Sequence, residues 1–261
     1  EAGNPSSNPK DIEFFQEIKK IPLKNSTICA FGSTRRKNST CEQDSSLQTL
    51  LAAQTEVVVI FGKAWPFHVT EIIKTTLEEN LLMIKETCAY LREQGKRVFF
   101  DAEHFFTAYQ ENKDYALKTL QAALDGGAEV LCLCETKGGS MINQVQTAVK
   151  EVVELFGKKA QIGIHTHNDS GLAVANSLVA VSEGATHVQG VLLGFGERTG
   201  NANLSTIIPN LQLKMGHECI PEENLAKLTP ICKQVAEIAN IKLNSQLPFV
   251  GANAFSHKAG M

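Results

Sequence analysis

Gln161-Ile162-Gly163-Ile164-His165-Thr166-His167-Asn168-Asp169 is a short apolar run that breaks into polar side chains at its end. Side chains two apart on a strand share a face, so His165 and His167 project into the same space. Neutral imidazoles so placed can hold a divalent metal, and a metal there polarises a carbonyl. The same spacing also suits two histidines that only hydrogen-bond, and spacing alone leaves both open. What the stretch decides is a pattern: a buried strand first, chemistry immediately after it.

The pattern recurs along the chain. Strand-like runs are expected at 27–31, 56–61, 97–101, 129–133, 161–165 and 187–193. Helical stripes lie between them: Leu77, Leu81, Ile84, Cys88 and Leu91; Ala116, Leu120, Ala123 and Leu124; Val145, Val149, Val152 and Val153; Leu172, Ala175, Leu178 and Val181. Gly95, Gly126, Gly157 and Gly184 fall where these helices should stop. Strands alternating with helices imply a parallel sheet covered by helices. Polar groups follow most of the strands: Arg35-Arg36, then Asp101 and Glu103, then Glu135-Thr136-Lys137, then His167-Asn168-Asp169, then Glu197, Arg198 and Asn201. A ring of such loops is where a closed barrel keeps its active site, whereas the edge strands of an open sheet lie too far from its crevice.

The expected fold is therefore α/β, a (β/α)8 TIM barrel. Its usual length is about 250 residues, and this chain has 261. Six strands are visible, and Glu1-Ala2-Gly3 reads as the stump of another. Both ends read as cut, so the expectation is an N-terminally truncated barrel over 1–217, lacking its first strand. Residues 218–261 would begin a linker and C-terminal region, with a helix over 221–240. A six-stranded open doubly wound sheet is the alternative.

Composition excludes several classes. A net charge of -3 gives no electrostatic case for nucleic acid, and no apolar run is long enough to span a membrane. The odd number of cysteines, seven, with most in apolar segments, suits buried free thiols in a reducing compartment, and a cytoplasmic location is expected, or an organelle if eukaryotic. Gly194-x-Gly196-x-x-x-Gly200 is reminiscent of a dinucleotide turn, but no strand ending in an acidic residue follows about 20 residues on. Asp101 and Glu103 share a strand end; either is a candidate general base, or a carboxylate satisfied by its neighbours. Arg35-Arg36 is either a carboxylate clamp or a solvated basic loop.

Longer motifs add to this reading. Phe100-Asp101-Ala102-Glu103-His104-Phe105-Phe106, residues 163–176 and residues 194–211 resemble the 2-isopropylmalate, homocitrate and citramalate synthases, the condensing branch of the DRE-TIM metallolyases. Residues 31–37 and 101–106 look like the citramalate subgroup. The resemblance implies an acyltransferase joining acetyl-CoA to a 2-oxo acid, pyruvate first among candidates, in branched-chain amino-acid biosynthesis. It implies a divalent metal (Mg, Mn or Zn) on His165, His167 and Asn201, with Glu103 and Thr136 catalytic. Arg35, Asp101, Asp169, Glu197, Arg198 and His257 are candidates for contacting substrate or supporting the ligands. The full-length form would be a homodimer. The family's Asp-Thr-Thr-Leu-Arg-Asp-Gly strand, carrying another ligand, is absent, so this segment alone is expected to be inactive. Glu135 and Lys137 depart from the family pattern around Thr136. A related barrel lyase and a non-catalytic relic are the rival readings.

Overall fold

The sheet is parallel throughout and its strands pair strictly in chain order, β1-β2-β3-β4-β5-β6. They are β1 (Cys29–Ser33), β2 (Val57–Lys63), β3 (Arg97–Glu103), β4 (Val130–Glu135), β5 (Gln161–Thr166) and β6 (His187–Gln189). The computed structural model describes residues 1–258. A doubly wound sheet reverses its order at a switch point; this one never does. Two backbone hydrogen bonds, Ala2 N to Cys29 O and Phe31 N to Gly3 O, lay the first residues along the outer edge of β1.

Curvature follows from one cross-sheet contact. Gln189 on β6 donates to Asp101 on β3 at 2.8 Å. Three strand spacings in a flat sheet would separate these positions by about 14 Å. The sheet therefore curls until the interior faces of β3 and β6 meet, as a barrel arc does.

Period-2 alternation assigns the two faces. Val58, Ile60, Val98, Phe100, Leu131, Leu133, Ile162 and Ile164 point outward and are fully buried or nearly so. Of the helices α1 (Pro9–Ile18), α2 (Ser45–Ala52), α3 (Leu77–Glu93), α4 (Phe105–Glu111), α5 (Lys113–Asp125) and α6 (Ile142–Phe156), they pack under α3, α5 and α6, whose stripes Ile84–Leu91, Leu120–Ala123 and Val149–Val152 are buried in the same cluster. The intervening residues, Phe61, Asp101, Cys132, Cys134, His165 and Gln189, face inward. Local signals start the helices: Thr76 accepts from Glu79 N ahead of α3, and Asn203 accepts from Ser205 N ahead of the helix Leu204–Leu213.

Two elements differ from expectation. The sixth strand ends at Gln189 rather than 193. Beyond it Val191 bonds with Ala202 and Leu204 instead of with β5. Gly190 permits that approach, since a Cβ there would sit 2.7 Å from Ala202 O. The helix over 221–240 is split into Glu222–Leu225 and Leu228–Ile238; Pro230 has no N–H to bond the carbonyl of residue 226. This segment packs Leu228, Cys232 and Val250 against Leu192 and Leu193, just after β6. All seven cysteines are free, with Cys219 the exposed one.

Candidate active site

A cavity of about 320 Å³ opens at the C-terminal ends of the strands, and Asp101, Glu103, Thr136, His165, His167 and Asn201 line it together with Glu197. Strand register explains the grouping. Cys134, His165 and Gln189 are paired neighbours across β4, β5 and β6, and Lys63 is paired with Glu103 across β2 and β3.

The two imidazoles face each other through their Nε2 atoms at 3.3 Å. His165 Nδ1 lies 2.7 Å from Gln189 Oε1. His167 is buried, and burial with the neighbouring His165 pushes its pKa down to about 4, so it is neutral near pH 7. Asn201 donates its Nδ2 to Phe195 O at 2.9 Å, which leaves its Oδ1 buried without a partner. Two imidazole nitrogens at close range and an orphaned amide oxygen on one cavity wall are lone-pair donors in want of a cation. This donor set fits a divalent metal.

Glu103 forms an ion pair with Lys63, and the Lys63 ammonium lies 5.3 Å over the Phe61 ring. Thr136 Oγ1 accepts from His104 N at 2.8 Å, leaving its hydroxyl hydrogen free to donate. His104 holds a left-handed φ of 59° and its ring meets His68 at 4.4 Å, edge to face. Burial lowers the pKa of both, that of His104 to about 4.

The loops are clasped by one arginine. Arg198 bonds both Asp169 oxygens, at 2.7 and 2.8 Å, and Thr136 O at 2.7 Å. That pairing holds the Asp169 carboxyl below its usual range. Gly138, at φ 68°, lies so close that a Cβ would sit 2.6 Å from Asp169 N. The buried Asp101 carboxyl is pushed up to about 6 by desolvation.

Arg35 is not brought to the cavity. Its guanidinium is buried between Glu79 at 2.8 Å and Glu86 at 2.7 Å on α3, so its charge is already spent on the fold. His257 is exposed and lies outside the cavity wall. Lys137 sits 4.2 Å over the Trp65 ring rather than beside the imidazoles. Glu135 is buried, accepting from Ser140 Oγ at 3.1 Å, so it braces its own loop. Lys63, His68 and Gln189 were not singled out from the sequence. For Lys63 and Gln189 a charged or amide side chain at an inward strand position was the available signal, whereas His68 lies on the short helix His68–Ile72 and carried no such signal.

A family model described as HMGL-like matches residues 1–237. The chain belongs to the HMGL-like family. Among curated relatives, the (R)-citramalate synthase of Aquifex aeolicus is 54% identical over 261 residues, 100% of this chain and 49% of that protein. The (R)-citramalate synthase of Synechocystis is 51% identical over 267 residues, again 100% and 49%. The 2-isopropylmalate synthase of Shouchella clausii is 31% identical over 264 residues, 100% and 50%. The chain thus spans about half the length of the curated relatives it matches. The fold is shared with the HMG-CoA lyase of Acinetobacter baumannii, solved with coenzyme A and 3-methylmalate, at a TM-score of 0.76 and 17% identity, covering 99% of this chain and 84% of that one. The lyase from Pseudomonas aeruginosa gives 0.73 at 14% identity, covering 91% and 78%. Sequential parallel strands with helical crossovers make this a TIM-barrel architecture. No helix among the described residues is long and apolar enough to cross a membrane.

Proposed function

We propose that the full-length protein condenses acetyl-CoA with pyruvate and releases (R)-citramalate and free coenzyme A. The observation that carries this reading is 54% identity to an (R)-citramalate synthase along the whole chain, against 31% to a 2-isopropylmalate synthase. His165, His167 and Asn201 would hold a divalent metal, Mg, Mn or Zn, which supplies Lewis-acid polarisation of the 2-oxo group.

The chain's own residues contribute to the remaining steps. Glu103 takes a proton from the acetyl methyl group, and its pair with Lys63 orients the carboxylate for that task. The methyl carbon then bonds to the keto carbon as the C=O π pair moves to oxygen, and that oxygen takes a proton from water to become the product hydroxyl. Thr136, anchored by His104 N, donates its free hydrogen to the oxo acid. Water cleaves the thioester, and the thiol leaves. Arg198 and Asp169 hold the loops that carry Thr136 and His167. A soluble, cytoplasmic homodimer is part of this reading.

The test is kcat/KM for pyruvate, 2-oxoisovalerate and 2-oxoglutarate, followed by thiol release and product identification. Pyruvate should lead. A hydrophobic pocket separates homologues by only about 1–3 kcal/mol per methylene, so weak turnover of the others is compatible. A preference for 2-oxoisovalerate or 2-oxoglutarate would move the protein to the isopropylmalate or homocitrate branch. No thiol release with any of the three would overturn the reading.

A further inference from the structure

Asp101 lies on β3, buried at 4% exposure, and shares no hydrogen bond with either imidazole. Its hydrogen-bonding nonetheless has a direction that reaches both. A carboxylate only accepts. Gln189 must therefore present its Nε2 hydrogens to Asp101 Oδ1, at 2.8 Å. Its other end, Oε1, is then the atom facing His165 Nδ1 at 2.7 Å. A carbonyl oxygen also only accepts, so of the two imidazole tautomers His165 takes the one with its hydrogen on Nδ1. Its Nε2 is left with a bare lone pair in the cavity. That lone pair faces His167 Nε2 at 3.3 Å, so in the metal-free protein His167 donates from Nε2.

We infer that Asp101 and Gln189 form a one-way relay that sets opposite tautomers on His165 and His167 and so presents His165 Nε2 as a metal ligand. The chain runs His167 to His165 to Gln189 to Asp101, every donor pointing toward the carboxylate. Without the carboxylate, the Gln189 amide is free to turn over. Its Nε2 would then face His165 Nδ1, the ring hydrogen would move to Nε2, and the ligand would be blocked. His167 has no such control on its far side, because its Nδ1 is buried with no partner. Asp101 and Gln189 are therefore positioning residues acting through His165.

This inference rests on the metal reading of His165 and His167, and the experiment separates the two. Histidine-labelled, metal-stripped full-length protein is read by long-range proton–nitrogen correlation spectra. The expected result is His165 protonated on Nδ1 and His167 on Nε2. Finding His165 protonated on Nε2 overturns the relay. Manganese affinity is then measured for three variants. Gln189→Leu should mix the His165 tautomers and weaken manganese about 10- to 100-fold. The swapped pair Asp101→Asn with Gln189→Glu keeps the direction, since the new amide on β3 donates to the new carboxylate on β6, which still accepts from His165. It should recover wild-type affinity to within about threefold, taking unity as the relay's prediction. Equal loss in both variants, or no loss in Gln189→Leu, overturns the relay. His165→Ala reports on the metal reading alone: unchanged manganese affinity sinks that reading, while the tautomer spectra still decide the relay.

Discussion

Replacing Gly138 by alanine tests whether the clasp between the loops after β4, β5 and β6 is as tight as its geometry implies. The position has φ 68°, in the left-handed region, and an added Cβ would lie 2.1 Å from Asp169 Oδ2 and 2.6 Å from Asp169 N. The carboxylate can swing away, but the backbone nitrogen cannot, because Ser170 N is bonded to Gly138 O at 2.9 Å. A left-handed alanine costs about 1–2 kcal/mol. Turning Asp169 out of its bidentate pair with the half-exposed Arg198 adds at most about 1 kcal/mol. The sum is about 1–3 kcal/mol, or roughly 5- to 150-fold in the unfolding equilibrium. Gly139→Ala is the control: its φ is ordinary and nothing lies within 4 Å of the new methyl. Both variants are unfolded in guanidinium, and kcat/KM is taken alongside. Gly138→Ala should lose stability and activity while Gly139→Ala stays within about 0.5 kcal/mol of wild type. Coincident midpoints for the two would refute the reasoning.

Arg198→Lys keeps the charge but not the planar fork, so it cannot hold both Asp169 oxygens and Thr136 O together. Steady-state kinetics should show kcat/KM down by about 10- to 100-fold, the usual cost of misplacing reacting groups by about 1 Å. Arg35→Met should lower stability by about 1–3 kcal/mol through loss of its buried pairs. It should leave KM for the 2-oxo acid within about twofold, whereas a substrate-binding arginine would raise KM strongly. Burial raises the Asp101 carboxyl to about 6, so the native state holds its proton more tightly than the unfolded chain. The stabilisation is present below about pH 4 and lost as pH rises through about 6. In metal-free protein, Asp101→Asn should flatten that slope in thermal melts taken across the window.

The fold was legible because its evidence is local and periodic. Each expected strand begins within two residues of its observed start, and the α3, α5 and α6 stripes are the faces that are buried. Loop chemistry was legible where it followed a strand, which is how His165, His167, Glu103 and Thr136 came to share one cavity. What the sequence hid was tertiary. Nothing in Arg35-Arg36 says that α3 will offer Glu79 and Glu86 to the first of the pair. Likewise Gln189 looks like any strand residue until the curl of the sheet brings Asp101 across the interior to meet it. The early end of β6 depends on residues 202–204 returning to it, a contact no strand propensity records.

The account turns on a metal held by the paired imidazoles and the orphaned Asn201 oxygen. Its most direct test is elemental analysis of the full-length protein after exhaustive desalting, beside the His165→Ala/His167→Ala variant shown to be folded by circular dichroism. The account predicts about one divalent ion per chain in the wild type and none in the variant. Equal metal content in the two would contradict it.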